Sequence, residues 1–149
     1  MSTIKSRLTA DMKTAMKGGD KSRLATIRML LAAIKQQEID EQRDLSEDEA
    51  LALLTKQAKQ RRESIAQYES AGRDDLKAVE QADLDVIETY LPRQLSPEEI
   101  EAEVAEIIQS EQATGMRDMG AVMKAARERF AGRADMAAVS KIVRDRLSA

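Results

Sequence analysis

Cysteine, histidine and tryptophan are all missing from this chain of 149 residues. Without cysteine there is no disulfide, no thiolate metal site and nothing that argues for an oxidising compartment. Without histidine the commonest general base and the usual nitrogen ligand are gone, and cysteine's absence also removes the thiol nucleophile. Only Tyr68, Tyr90 and Phe130 are aromatic, so the core must be built from Leu, Ile, Val, Met and Ala. No stretch approaches the ~20 apolar residues of a membrane span, and Met1-Ser-Thr-Ile-Lys5 lacks an apolar signal region. The default expectation is therefore a cytoplasmic protein with no membrane association. Gly-x-Gly-x-x-Gly, a Walker loop and a Gly-x-Ser-x-Gly elbow are likewise absent, so no cofactor or metal is expected and no catalytic constellation is visible.

Apolar residues make up 42% of the chain and charged residues 34%, a globular rather than a disordered balance. The net charge is only −3, but it is unevenly spread. Residues 1–37 carry eight bases against two acids, and residues 38–55 carry seven acids against Arg43. Residues 97–113 hold six glutamates and no base, whereas 114–149 hold eight bases against four acids. Pairing between neighbouring helices is the plain reading of such alternation; nucleic-acid binding is its rival.

Everything periodic has the helical rhythm. Ile4, Leu8, Met12 and Met16 form one stripe, halted at Gly18-Gly19. Asp20 caps a second helix with Leu24, Ile27, Leu31 and Ile34. Ser46-Glu-Asp-Glu49 is a capping box opening a long helix through Leu51, Leu54, Ala58, Ile65 and Tyr68. Asp74 opens a fourth, through Leu76, Val79, Ile87 and Leu91. The two prolines bracket Pro92-Arg-Gln-Leu-Ser-Pro97, where Ser96-Pro97-Glu-Glu99 combines a capping box with proline at the first helical position. A boundary here divides the chain into a four-helix lobe, 1–94, and a three-helix lobe, 95–149. The acidic helix that follows shows Ile100, Val104, Ile107 and Ile108. The expected fold is all-α.

The last part of the chain is nearly one sequence written twice. Residues 118–130 align without gaps on 135–147, seven of thirteen positions are identical, and the offset is 17 residues. Each copy opens on an aspartate, and Gly132 is placed to end the first helix. Met119, Val122, Ala126 and Phe130 face a core in one copy; Met136, Val139, Val143 and Leu147 do so in the other. Lys124/Arg127 and Lys141/Arg144 lie opposite. They are either ordinary solvated residues or, with Arg133, a duplicated basic surface for an anionic partner.

A second basic cluster is Lys56, Lys59, Arg61 and Arg62. Lys56 and Lys59 face away from the Leu51/Leu54/Ala58/Ile65 stripe, while Arg62 falls near its centre. A guanidinium there needs a partner. Either an acid from the 38–49 block supplies an internal ion pair, or Arg61 and Arg62 hold a phosphate or carboxylate bidentately in a cleft.

Three separated segments resemble the GatB/YqeY family: Lys56-Gln-Ala-Lys-Gln-Arg-Arg-Glu-Ser-Ile65, Tyr90-Leu-Pro-Arg-Gln-Leu-Ser96, and Gly115-Met-Arg-Asp-Met-Gly-Ala-Val-Met-Lys124 with Gly132-Arg-Ala-Asp135. Together the resemblance spans nearly the whole chain and is similar to the free-standing, YqeY-like members. The family relates these proteins to the tail of the B subunit of the tRNA-dependent glutamine amidotransferase, a tRNA-contacting module remote from the chemistry. Two departures, Ala121 and Met136-Ala137, stand where the family carries lysine and Gly-Lys, and both remove positive charge.

The basic hairpin, taken with the resemblance, gives as the first expectation a non-catalytic adapter. It would bind tRNA or a tRNA-associated complex through Lys124, Arg127, Arg133, Lys141 and Arg144; no DNA partner is expected. The rival is a protein–protein module attached to amidotransferase or aminoacyl-tRNA machinery, motivated by the acidic 97–113 helix. Glutamine-dependent carbon–nitrogen ligase activity follows from family association alone.

Overall fold

The structure is a computed structural model describing residues 3–149. Among the described residues the fold is all-α, as expected, with four helices followed by three. The first four are α1 (Thr3–Gly18), α2 (Lys21–Glu41), α3 (Glu47–Ser70) and α4 (Asp74–Glu88). Then come α5 (Pro97–Ser110), a 3-10 turn at Met116–Asp118, α6 (Met119–Phe130) and α7 (Met136–Leu147). The chain divides into two compact units, one ending at Leu91 and one beginning at Pro92.

In the first unit two helical hairpins pack around one aliphatic core. Gly19, at φ 70°, turns α1 into α2, and the Asp20 carboxylate accepts from the Arg23 amide at 3.2 Å. Ile4, Leu8, Ile27, Leu30, Ile34, Leu54, Ala58, Leu84 and Ile87 are buried together. Met16 is not among them: it is 52% exposed and Ala15 is buried instead. A strict four-residue spacing walks roughly 40° round the helix per step, so by Met16 the Ile4 stripe has left the core. Val79 is also exposed, because the inner line of α4 runs through Glu80, Leu84 and Ile87.

The second unit is a three-helix core of Ile100, Val104 and Ile107 from α5, Val122, Met123, Ala126 and Phe130 from α6, and Val139, Val143 and Leu147 from α7. Both copies of the repeat bury the apolar positions their periodicity predicts, with Met119 and Met136 at the edge. Gly132, at φ 72°, ends the α6 hairpin arm. The segment before α5 is tied to that turn: the Leu95 amide donates to the Arg133 carbonyl at 2.9 Å, and the Gln94 side chain donates to the Gly132 carbonyl at 2.6 Å.

One helix-opening device occurs in both units. Arg43-Asp-Leu-Ser46-Glu-Asp-Glu49 and Arg93-Gln-Leu-Ser96-Pro-Glu-Glu99 share the pattern Arg-x-Leu-Ser-x-x-Glu. In each, serine and glutamate form a reciprocal capping box, and the arginine grips the same glutamate. The leucine before each cap joins its unit's core. Held first by the arginine and then by the backbone amide of the serine, Glu49 and Glu99 are each pulled down to about 2.

Candidate nucleic-acid interface

The duplicated hairpin sorts its bases by face. In each copy a lysine is followed by arginines three and five residues on: Lys124, Arg127, Arg129 and Lys141, Arg144, Arg146. The last of each set turns to the acidic helix α5. Arg129 Nε lies 3.2 Å from Glu103 and its Nη2 bonds Glu106, while Arg146 Nη2 lies 3.1 Å from Glu101. Glu106 is the main cause that raises the Arg129 guanidinium above its ordinary value, with Glu103 adding to it. At about 100° per residue, positions two and five earlier point roughly 140–160° away. Lys124, Arg127, Lys141 and Arg144 are accordingly all exposed, and among the described residues no carboxylate lies within 4 Å of them.

Arg133 does not join that face. Its Nη2 lies 3.6 Å from Glu103 and its Nη1 donates to the Arg129 carbonyl at 3.3 Å, so it belongs with the α5-facing bases. The sequence placed it in the turn but had no means of showing where α5 would run. The same pairs answer for the acidic helix: Glu101, Glu103 and Glu106 are engaged inside the unit, and Glu99 is held by Arg93.

The Lys56–Arg62 cluster is organised differently from the expectation. It is Arg61 that turns inward and Arg62 that faces solvent. Arg61 Nη2 lies 2.7 Å from the Met29 sulfur on α2; its Nε lies 3.4 Å from Glu80 and 3.5 Å from Asp83 on α4. Asp83 in turn accepts from the buried Thr26 hydroxyl at 2.8 Å. Arg62 pairs at the surface with Glu88 at 3.1 Å. The buried line of α3 runs Ala50, Leu54, Ala58, then to Arg61; half-buried Leu51 had drawn the inferred centre towards Arg62. No partner comes from the 38–49 block, where Glu38 bonds Lys5 and Glu49 bonds Arg43. Lys56 is exposed and Lys59 half-buried. The cluster thus locks α2, α3 and α4 together, and its two guanidinium groups are committed to carboxylates.

A third polar group closes the other end of the first unit. Tyr90 donates to Asp11, and the Arg7 guanidinium lies 4.9 Å from its ring centre. Burial first, then Asp11, push the phenol up to about 12, so it remains a neutral donor. Sequence reading missed this contact, which joins residues 79 positions apart. Among the described residues no group of three or more carboxylates is placed to hold a metal ion, and no helix is long and apolar enough to cross a membrane.

Comparison with known proteins gives this architecture its family. A family model described as Yqey-like protein matches residues 5–147. The chain belongs to that family. Several curated relatives carry the name "Altered inheritance of mitochondria protein 41, mitochondrial". The protein from Lachancea thermotolerans is 38% identical over 104 residues, covering 68% of this chain and 56% of the relative. That from Pyrenophora tritici-repentis is 36% identical over 121 residues, covering 78% and 65%. That from Meyerozyma guilliermondii is 42% identical over 84 residues, covering 56% and 44%. This YqeY-like chain therefore spans about half the length of the curated relatives it matches. These names overturn the cytoplasmic expectation, since the relatives are named as mitochondrial proteins.

Proposed function

We propose that the chain is a non-catalytic adapter that binds tRNA, or a complex containing it, through the outer face of the α6–α7 hairpin. The observation that carries this reading is the division of labour within the repeat. Arg129 and Arg146 satisfy α5, while Lys124, Arg127, Lys141 and Arg144 stand exposed and, among the described residues, have no carboxylate within 4 Å, Glu128 and Asp145 being their nearest acids in sequence. Such bases make phosphate contacts that position a nucleic acid without reading its sequence. The hairpin's one aromatic, Phe130, is buried, so base stacking plays no part. Four contacts predict weak, salt-sensitive binding, on the order of 10⁻⁴–10⁻⁶ M. A mitochondrial setting, taken from the relatives' names, is the setting of this reading.

The rival protein–protein module loses part of its motivation, because four of the six glutamates in the acidic segment, Glu99, Glu101, Glu103 and Glu106, are already engaged within the unit. Fluorescence anisotropy of labelled bulk tRNA at two salt concentrations tests the proposal. Wild type should bind more weakly at the higher salt, and the double reversal Lys124→Glu/Lys141→Glu should weaken binding at both while leaving the circular dichroism unchanged. Equal affinity of the double variant would sink the assignment.

A further inference from the structure

The first unit has a basic surface that the hairpin reading does not use. On α2, Lys21, Ala25, Arg28, Ala32 and Lys35 are all exposed and follow one another at helical spacings of four and three residues. They lie opposite Ile27, Leu30 and Ile34, which are fully buried. The three bases therefore stand seven residues apart along one ridge, about 10.5 Å from one to the next. Only alanine separates them, so nothing rises between the charges. The ridge contains no acid from Lys21 to Gln37. The nearest one before it, Asp20, is occupied capping the helix. Lys13 and Lys17, on the arm leading into the turn, are exposed as well, and α1's one acid, Asp11, is bonded to Tyr90.

Elsewhere in the same unit most bases are neutralised, with Arg7, Arg23 and Lys56 scattered exceptions on α1, α2 and α3. Arg43, Arg61, Arg62, Arg73 and Lys77 each find a carboxylate within 4 Å. No carboxylate lies within that distance of Lys13, Lys17, Lys21, Arg28 or Lys35 among the described residues. Like charges left unanswered along one helix face repel one another and are the electrostatic footprint of a polyanion site. The ridge offers a protein partner little, carrying Arg28 as its one residue of an anchoring type. Protein interfaces draw their energy from large buried anchors, chiefly aromatic residues and arginine. Here the apolar content is two alanines, with Ile39 exposed only at the far end, where Asp40 and Glu41 close the surface.

We propose that the outer face of α2, with Lys21, Arg28 and Lys35 as its contacts and Lys13 and Lys17 adjoining, is a second surface for the phosphate backbone of RNA. It takes its ligand class from the RNA reading above but none of its residues. A chain with both surfaces meets RNA through each unit, and each contributes its own share of the salt dependence.

The test uses the full chain and a labelled RNA duplex, titrated by anisotropy over a series of salt concentrations. The variant Lys21→Gln/Arg28→Gln/Lys35→Gln keeps good helix formers on the exposed face. It should lower the slope of log affinity against log salt by up to about 3, with a loss of roughly tenfold or more in affinity at low salt. A control, Arg62→Gln/Arg73→Gln/Lys77→Gln, removes the same charge from paired positions on α3, α4 and the turn between them and should leave the slope near wild type. If the control matches the α2 variant, bulk charge explains the binding and the proposal falls. It falls too if the α2 variant keeps the wild-type slope, or if the chain takes poly-glutamate and not RNA. The α6–α7 reading is judged separately. A drop on Lys124→Glu/Lys141→Glu with none on the α2 variant supports that reading and overturns this one; the reverse pattern supports this one alone.

Discussion

Asp118 and Asp135 hold the same place in the two copies of the C-terminal repeat, yet their carboxylates point in opposite directions. Asp135 reaches forward and accepts from the Ala137 amide, the ordinary action of an N-cap. Asp118 reaches back, accepting from the Thr114 and Gly115 amides at 2.8 and 3.2 Å, and a 3-10 turn leads into the helix. The difference lies in what precedes each copy. The first follows a long acidic helix and needs a folded approach; the second follows a four-residue turn closed by Gly132 and tied to Gln94. Their C-terminal ends differ in weight as well. Phe130 is fully buried at the end of α6, while its counterpart Leu147 keeps 6% exposure at the end of α7. A duplicated sequence thus gives two helices with one face in common and unequal structural duties.

The largest test of that inequality is truncation at the two matched core positions. Phe130→Ala should destabilise the second unit by about 3–5 kcal/mol, and Leu147→Ala by about 2 kcal/mol, near the low end for such a change. Urea unfolding followed by circular dichroism checks the ranking, and equal losses would mean that the two copies share the core evenly. Next comes the cap. Asp135→Ala should cost about 1 kcal/mol through the lost bond to the α7 amide. Amide hydrogen exchange should then quicken in the first turn of α7 and not in that of α6.

Gly120 and Ala137 are also matched, and a methyl group added at Gly120 would meet nothing within 4 Å. Gly120→Ala should therefore stabilise α6 by up to about 0.5–1 kcal/mol, read as a higher urea midpoint. The smallest effect is a response to acid. The Thr114 and Gly115 amides hold the Asp118 carboxyl below its ordinary 3.8. A group whose folded value is depressed contributes stability above its unfolded value and loses it as pH falls through the folded one. Lowering pH through 3.8 and below should shift the Thr114 and Gly115 amide resonances together, with the approach to α6 loosening. Amides that ignore that range would show the backward cap to be weak.

Much of the fold was legible because its determinants are local. Both capping boxes, the Gly132 stop and the apolar positions of both repeat copies were read correctly, each depending on residues within one or two turns of one another. The stripe ending at Met16 failed because a constant spacing of four does not follow a helix of 3.6 residues per turn. Of the candidate site, Lys124, Arg127, Lys141 and Arg144 were placed on the outer face, and the structure has them exposed. Arg133 and the Arg61/Arg62 pair were assigned differently from where they lie, because each turns on a partner 19 to 30 residues away or on a few tens of degrees of rotation.

Sequence alone determined that the chain is all-α, which residues cap α2, α3, α5 and α7, and which face of each arm of the repeat is apolar. Periodicity and caps act within a single helix, so nothing beyond that helix is needed to read them. Which charges remain available was decided only by tertiary structure. Two arginines five residues beyond identical lysines are silenced because α5 crosses beside them, and Arg61 is silenced because α4 brings Glu80 and Asp83 to its guanidinium. A residue's angle on a helix tells which way it points. What it meets there depends on the packing of another helix, and an ion pair exists only between groups a few ångströms apart.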